Sequence, residues 1–261
     1  LPTDPRNQKE RLGTSKTTAM VNHPETGKPW FGFTELFSKE TDDWSITDKP
    51  EDIWKLQSDI YKTEPFQWRR QITEIEFCKA RPENIYVVSG GQQNSPWYHW
   101  HLPSVLYKSS TGGIDGETAK EKKFMPVEYP GMTHDDDTLA IITSIAVAPF
   151  NPNHLWITYT GIPGEYRVWF SSDGGKTWRN ADPGGVFKKN PVNAIAYQEG
   201  SADRLYLGTD RGLYTKNRFT GWEKFEKFPN VRITELKINH AFNKLRVATF
   251  GRGLWEGNLL K

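Results

Sequence analysis

The sequence has 261 residues, with 34 Lys and Arg against 32 Asp and Glu, enough chain for one large β domain or two ordinary ones. The near-balanced charge leaves no general field for nucleic acid or an anionic membrane, and without a run of roughly 18 apolar residues no segment inserts as a membrane-spanning helix. Cys78 is the single cysteine, which excludes an internal disulfide, and 11 Trp, 22 Gly and 17 Pro favour a turn-rich, all-β chain.

Residues 1–17 form a polar, Pro-containing N-terminal extension and make a poor strand. The chain begins at Leu1 without Met or signal peptide, as a processed chain or a piece of a longer one does. From residue 18 one pattern recurs five times: an apolar strand, a turn, a second strand ending in Gly or Thr, and a third strand with an aromatic. The first copy runs through Thr18-Ala19-Met20-Val21, Trp30-Phe31-Gly32-Phe33 and Glu35-Leu36-Phe37-Ser38, and closes near Thr41-Asp42-Asp43-Trp44. A long connection follows, in which Pro50 to Leu56 is read as a short helix. The second copy runs from Ile72 through the turn Arg81-Pro82-Glu83-Asn84 to Val105–Gly113, with an insertion at 90–104. Its Ile75-Glu76-Phe77-Cys78 places the thiol as a buried structural residue without a paired base.

The third copy joins Ile142–Val147 and Leu155–Tyr159, across the turn 149–153, to Val168-Trp169-Phe170 and then Ser171-Ser172-Asp173-Gly174-Gly175-Lys176-Thr177-Trp178. In that octapeptide Asp173 is placed to accept backbone N–H groups, the Gly pair supplies positive φ, and Thr177-Trp178 re-enters an extended segment with a ring to plug the turn. The fourth copy runs through Val192–Tyr197, Arg204–Thr209, Gly212–Tyr214 and Trp222, and the fifth through Val231–Leu236, Leu245–Thr249 and Gly253–Trp255. Ile75, Ile145, Ile195 and Leu236 are equivalent, and their spacings of 70, 50 and 41 residues converge on about 40–45 once insertions are removed, the length of a four-stranded propeller blade. The expected fold is an all-β propeller of antiparallel blades, approximately 18–48, 72–126, 142–180, 192–226 and 231–258. The fifth lacks a fourth strand, so the chain reads as part of a larger, six- to eight-bladed ring whose remainder lies upstream or in a separate chain.

The pattern S-x-D-x-G-x-T-W at 171–178 resembles the Asp box of sialidases, sortilin-like receptors and xyloglucan-cleaving glycoside hydrolases, with Ser171, Asp173, Gly175, Thr177 and Trp178 at its defining positions. Weaker versions stand at 38–44 and 109–113, the latter with Thr111 in place of Asp. The segments Gly208–Tyr214, Phe228–Val231, Lys244–Thr249 and Gly251–Glu256 are similar to the closing blades of secreted Bacteroidetes propellers, often named glycosyl hydrolase or sialidase-like repeat proteins. That resemblance implies a secreted or cell-surface location and, in many such proteins, a type IX secretion tail, which is not visible before Lys261. It is specific for fold and not for activity.

In a propeller the turn between strands three and four lies at one end of the blade, and the loops from strand two to three and from blade to blade lie at the other, where ligands bind. That sorting places the insertion with Trp97, Tyr98, His99, Trp100 and His101 at the ligand end, with Glu165 and Tyr166, Arg211, Arg252 and the acidic run Asp135-Asp136-Asp137. Trp97, Tyr98 and Trp100 suit stacking on sugar rings or anchoring a protein, or else pin a long loop. His99 and His101 alternate and share a face in an extended segment, so with Asp135 or Asp137 they form a weak metal set, and the acidic run has the oxygen ligands Ca²⁺ prefers. The bland alternatives are loop histidines and a solvated acidic turn. Arg211 and Arg252 occupy equivalent positions in consecutive blades and suit a carboxylate, or else satisfy backbone carbonyls. Asp135, Asp136 and Glu165 are the candidate catalytic acids. With no phosphate loop and no recognisable Ser/His/Asp arrangement, the expectation is a non-catalytic extracellular module that needs no cofactor. It binds a glycan or surface protein, or serves a structural role in an assembly. The alternative is an Asp-box glycoside hydrolase.

Overall fold

The computed structural model describes residues 19–32, 36–39, 54–58, 72–90, 104–113, 124–130, 141–159, 166–200 and 202–260. Contacts divide the chain into two compact units, Leu1–His99 with Val105–Val127, and Trp100–Ser104 with Glu128–Lys261. Among the described residues the regular structure is β-sheet apart from one 3-10 turn, His240–Phe242, and no helix is long and apolar enough to cross a membrane.

The first unit holds two antiparallel meanders, β1 (Ala19–Asn22), β2 (Pro29–Gly32), β3 (Leu36–Lys39) and β4 (Trp54–Ser58), then β5 (Ile72–Cys78), β6 (Arg81–Ser89), β7 (Val105–Ser109) and β8 (Met125–Val127). Two details differ from the sequence reading. The segment read as a helix is the edge strand β4, whose Lys55 and Leu56 pair with Ser38 and Phe37. The first sheet therefore reaches Ser58, beyond the expected limit of 48, because the backbone groups of β3 need a ladder partner more than a five-residue segment needs its helical propensity. The turn expected at 81–84 lies at Lys79-Ala80, and Arg81 already pairs with Cys78. Pro82 is accommodated in the register shift that follows.

The core of this unit is the seam between its two sheets. Trp30, Ile72, Ile75, Phe77, Ile85, Val87, Val105, Tyr107 and Phe124 form one buried cluster, with Trp30 and Phe77 edge-to-face at 5.1 Å. Each fully buried side chain of this kind stabilises the fold by about 1.5–3 kcal/mol. Gly32 is required by the seam: a Cβ there would lie 2.6 Å from Ile72 Cγ2.

The second unit repeats the design. Its sheets are β9 (Ile142–Ala148), β10 (Asn151–Tyr159), β11 (Val168–Ser171) and β12 (Arg179–Asn180); β13 (Val192–Gln198), β14 (Arg204–Thr209), β15 (Gly212–Lys216) and β16 (Glu223–Lys224); and the three-stranded β17 (Ile233–Asn239), β18 (Lys244–Thr249) and β19 (Leu254–Asn258). Sheets three and four close over Trp156, Val168, Phe170, Phe187, Ile195 and Leu207, and sheets four and five over Tyr206, Leu213, Ile233, Leu236, Leu245 and Val247. β13 packs between β9 of the third sheet and β17 of the fifth, and β9 and β13 read as nearly continuous apolar runs. β19 is exposed along its whole length.

Candidate functional site

The ladders of the second unit fix which loops share an end. Ile142 pairs with Tyr159 and Val192 with Thr209, so the start of strand one, the end of strand two and the start of strand three lie together, while the strand one–two and three–four turns lie at the opposite end.

At the turn end, Ser171 Oγ accepts the Gly175 N–H at 2.8 Å and donates to Asp173 Oδ1 at 2.8 Å. Asp173 accepts the Thr177 N–H at 2.9 Å and its hydroxyl at 2.6 Å. These bonds, the Thr177 hydroxyl first, hold the Asp173 carboxyl down to about 2. The Gly174 N–H reaches the Asn153 carbonyl at 2.9 Å and ties the two turns together. In the second sheet Ser109 Oγ accepts from Thr111 and Gly113, and the Gly112 N–H reaches Glu83 O at 2.9 Å. The fourth sheet carries a version that sequence reading passed over, Thr215-Lys216-Asn217-Arg218-Phe219-Thr220-Gly221-Trp222. There Asn217 Oδ1 accepts from Phe219 and Thr220, and the Arg218 N–H reaches Ala202 O at 3.0 Å. The indoles tie down segments far away in sequence: Trp178 Nε1 donates to Glu128 O and Trp222 Nε1 to Ala181 O, each at 2.8 Å. Ser171, Asp173 and Thr177 are committed to one another and to the backbone of the turn, which makes it a staple rather than a reactive centre.

The loop end is built by a second set of polar residues. The segment Ala181-Asp182-Pro183-Gly184-Gly185 leads from β12 toward β13, and the fully buried Asp182 accepts the Val186 and Phe187 N–H groups, one per oxygen, both at 2.9 Å. Burial nevertheless pushes the Asp182 carboxyl up, against the pull of those N–H bonds and of Lys188. Arg167, also buried, donates to Lys188 O at 3.1 Å, and burial lowers it while Asp210 opposes. Asn190 Nδ2 donates to Thr209 Oγ1 at 3.1 Å, and that hydroxyl donates to Gly212 O at 2.8 Å. In sheet five Thr249 Oγ1 donates to Gly253 O at 2.7 Å in the same way. Asp210 Oδ1 takes Asn193 Nδ2 at 2.9 Å and Arg232 Nε at 3.1 Å.

Of the residues singled out in the sequence, Tyr166, Arg211 and Arg252 are described at this end. Tyr166 is half-buried, with Lys188 Nζ 4.5 Å above its ring and Trp169 edge-on at 6.5 Å. Arg211 and Arg252 are exposed, and each immediately precedes the glycine that receives the threonine hydroxyl. Trp97, Tyr98, His99, Trp100, His101, Asp135, Asp136, Asp137 and Glu165 lie outside the described residues, and with them the metal and catalytic candidates. Among the described residues no three His, Cys, Asp or Glu group as metal ligands. Asp182 was not anticipated, and Asp210, which sorting the loops puts at this end beside Arg211, was given no role. The Asp-Pro-Gly-Gly turn signal was present for the first, whereas the second is defined by Arg232, 22 positions on.

No family model matches the sequence, and among curated proteins no relative was found. Solved structures do match in fold. The chain is similar to the GH74 xyloglucanase of Xanthomonas campestris with TM-score 0.64 and 14% identity over 94% of this chain and 36% of that one. It is similar to the extracellular domain of a hybrid two-component system from B. thetaiotaomicron with TM-score 0.57 and 14% identity over 94% and 28%. The β-propeller domain of Cps50 (Swd1) from Myceliophteria thermophila gives TM-score 0.59 and 12% identity over 93% and 65%. The chain thus has a β-propeller fold, and it spans about a third of the first two proteins.

Proposed function

We propose that this chain is a non-catalytic, extracellular β-propeller module that binds a glycan, or else a surface protein, at the loop end of its blades. It belongs with the secreted Asp-box propellers of the Bacteroidetes type. The observation that carries this reading is the fate of Asp182 and Asp210. Hydrolysis of a glycosidic bond needs two carboxylates facing each other across a cleft about 5–10 Å wide, one of them free to carry a proton. Asp182 has both oxygens on backbone N–H groups, and Asp210 is held by Asn193 and Arg232. Both serve the architecture of the loops.

The remainder of the propeller, as an upstream segment or a separate chain, is the partner proposed for the open edge of β19, since the other four sheets each have a fourth strand. A glycoside hydrolase reading draws on Asp135, Asp136 or Glu165 and on that remainder for the second carboxylate. Binding of the wild type and of a Trp97→Ala/Trp100→Ala variant to a glycan array tests the binding site. The variant is expected to lose most of the signal, and equal binding by both removes those aromatics from the site.

A further inference from the structure

Two loops of the fourth and fifth sheets meet on one arginine. Arg232 pairs through Nε with Asp210 Oδ1 at 3.1 Å, and through its carbonyl it accepts the Phe250 N–H at 2.8 Å. The turn Asp210-Arg211 and the turn Phe250-Gly251-Arg252 are therefore fixed on either side of Arg232. Arg211 and Arg252 are exposed, and among the described residues neither guanidinium has a hydrogen-bond or ion-pair partner. The two turns and Arg232 together carry three guanidiniums against the single carboxylate of Asp210, and Phe250, whose N–H bonds to the Arg232 carbonyl, is 72% exposed. The imbalance holds for the loops that enter and cross sheets four and five: segments 181–191, 210–211, 225–232 and 250–253 together carry six Lys and Arg against three Asp and Glu. The acidic run Asp135–Asp137 belongs to a different connection, the one entering β9.

We infer that this cluster binds an acidic polysaccharide, one bearing carboxylates on its sugar rings. The inference rests on the binding-module reading above and supplies its ligand class. A guanidinium presents two parallel N–H donors that match a carboxylate, which an ammonium does not. One such pair in water is weak, so a ligand whose charges repeat along a polymer is favoured over a single anion, because a second contact follows the first at high effective concentration. Phe250 offers an apolar face for the C–H side of a sugar ring. A peptide draws most of its affinity from a desolvated anchor in a pocket. The open cations and exposed ring provide no such anchor.

Affinity electrophoresis through gels containing polygalacturonate, neutral xyloglucan or poly-L-glutamate tests this on the whole chain and on Arg211→Gln/Arg252→Gln. Both positions are exposed, and equal thermal midpoints show that the variant is folded. The expected result is retardation by polygalacturonate that weakens roughly tenfold in the variant and with rising salt. Absence of retardation in the wild type, or equal retardation of the variant, overturns the inference. Retardation by poly-L-glutamate as strong as by polygalacturonate also overturns it, in favour of an acidic protein. Loss of polygalacturonate binding while xyloglucan still retards the chain sinks this inference alone, whereas shortening of xyloglucan sinks the non-catalytic reading as well.

Discussion

Asp173 shows how one side chain sets a local structure and how its chemistry reports on it. Thr177 lies four positions further on, and two bonds from it hold the carboxylate charged. Its folded value, about 2, is below the ordinary 3.8, so the contribution to stability is fully present above about pH 4 and is lost as pH falls through 2. In Asp173→Asn the charged acceptor is gone. The expected outcome is a lower thermal midpoint at pH 6 and a smaller difference from wild type at pH 2.5, measured by circular dichroism. Equal midpoints at pH 6 remove the turn from the list of stabilising features. This turn was legible in sequence because its chemistry is local, with donor, acceptor and glycines inside eight residues. Its counterpart at 215–222 was not, since Asn217 and Phe219 replace the Asp and Gly, and only the bonds from Phe219 and Thr220 to Asn217 expose the shared geometry. The role of Asp210 was invisible for the opposite reason, one partner, Asn193, standing 17 positions back in β13 and the other, Arg232, at the entry to the next sheet.

At the scale of the sheet, the seams between neighbours decide which residues fit. Gly208 is the clearest case: a Cβ there would sit 2.4 Å from Ile233 Cγ2 and 2.9 Å from its Cβ. Gly208→Ala is expected to destabilise by about 1–3 kcal/mol through overpacking. Ile233→Ala costs about 2–5 kcal/mol by leaving a cavity, and the double variant should cost less than the two together, because each change relieves the other. Denaturant titration of the four proteins measures the coupling, and strict additivity would contradict the packing described. Central strands could be read from apolar runs, since coverage on both faces is written in composition at every position. The fourth strands could not. β12 and β16 are two residues long, too short for any period, and β4 was mistaken for a helix because a five-residue edge strand carries no signal that outlasts its local propensities.

For the whole molecule, five sheets of one design follow from a repeat that the sequence shows plainly, with β10, β14 and β18 paired in the same register to the strands before them. The ends of those sheets divide the work. Turns such as 171–178 lock backbone to backbone, and the loops at the other end leave Arg211, Arg252 and Phe250 exposed. The repeat directed attention to that end, yet which loop residues are committed to structure is decided by contacts between distant segments, and composition alone gave Asp182 no priority over any other acid. The fold class is common to enzymes and binding proteins, so the carboxylates must decide. The most direct measurement is the chain length of xyloglucan and polygalacturonate, followed by size-exclusion chromatography with light scattering during prolonged incubation with the chain. A non-catalytic module leaves both distributions unchanged. Progressive shortening of either polymer, abolished by Asp135→Asn, Asp136→Asn or Glu165→Gln, would contradict it.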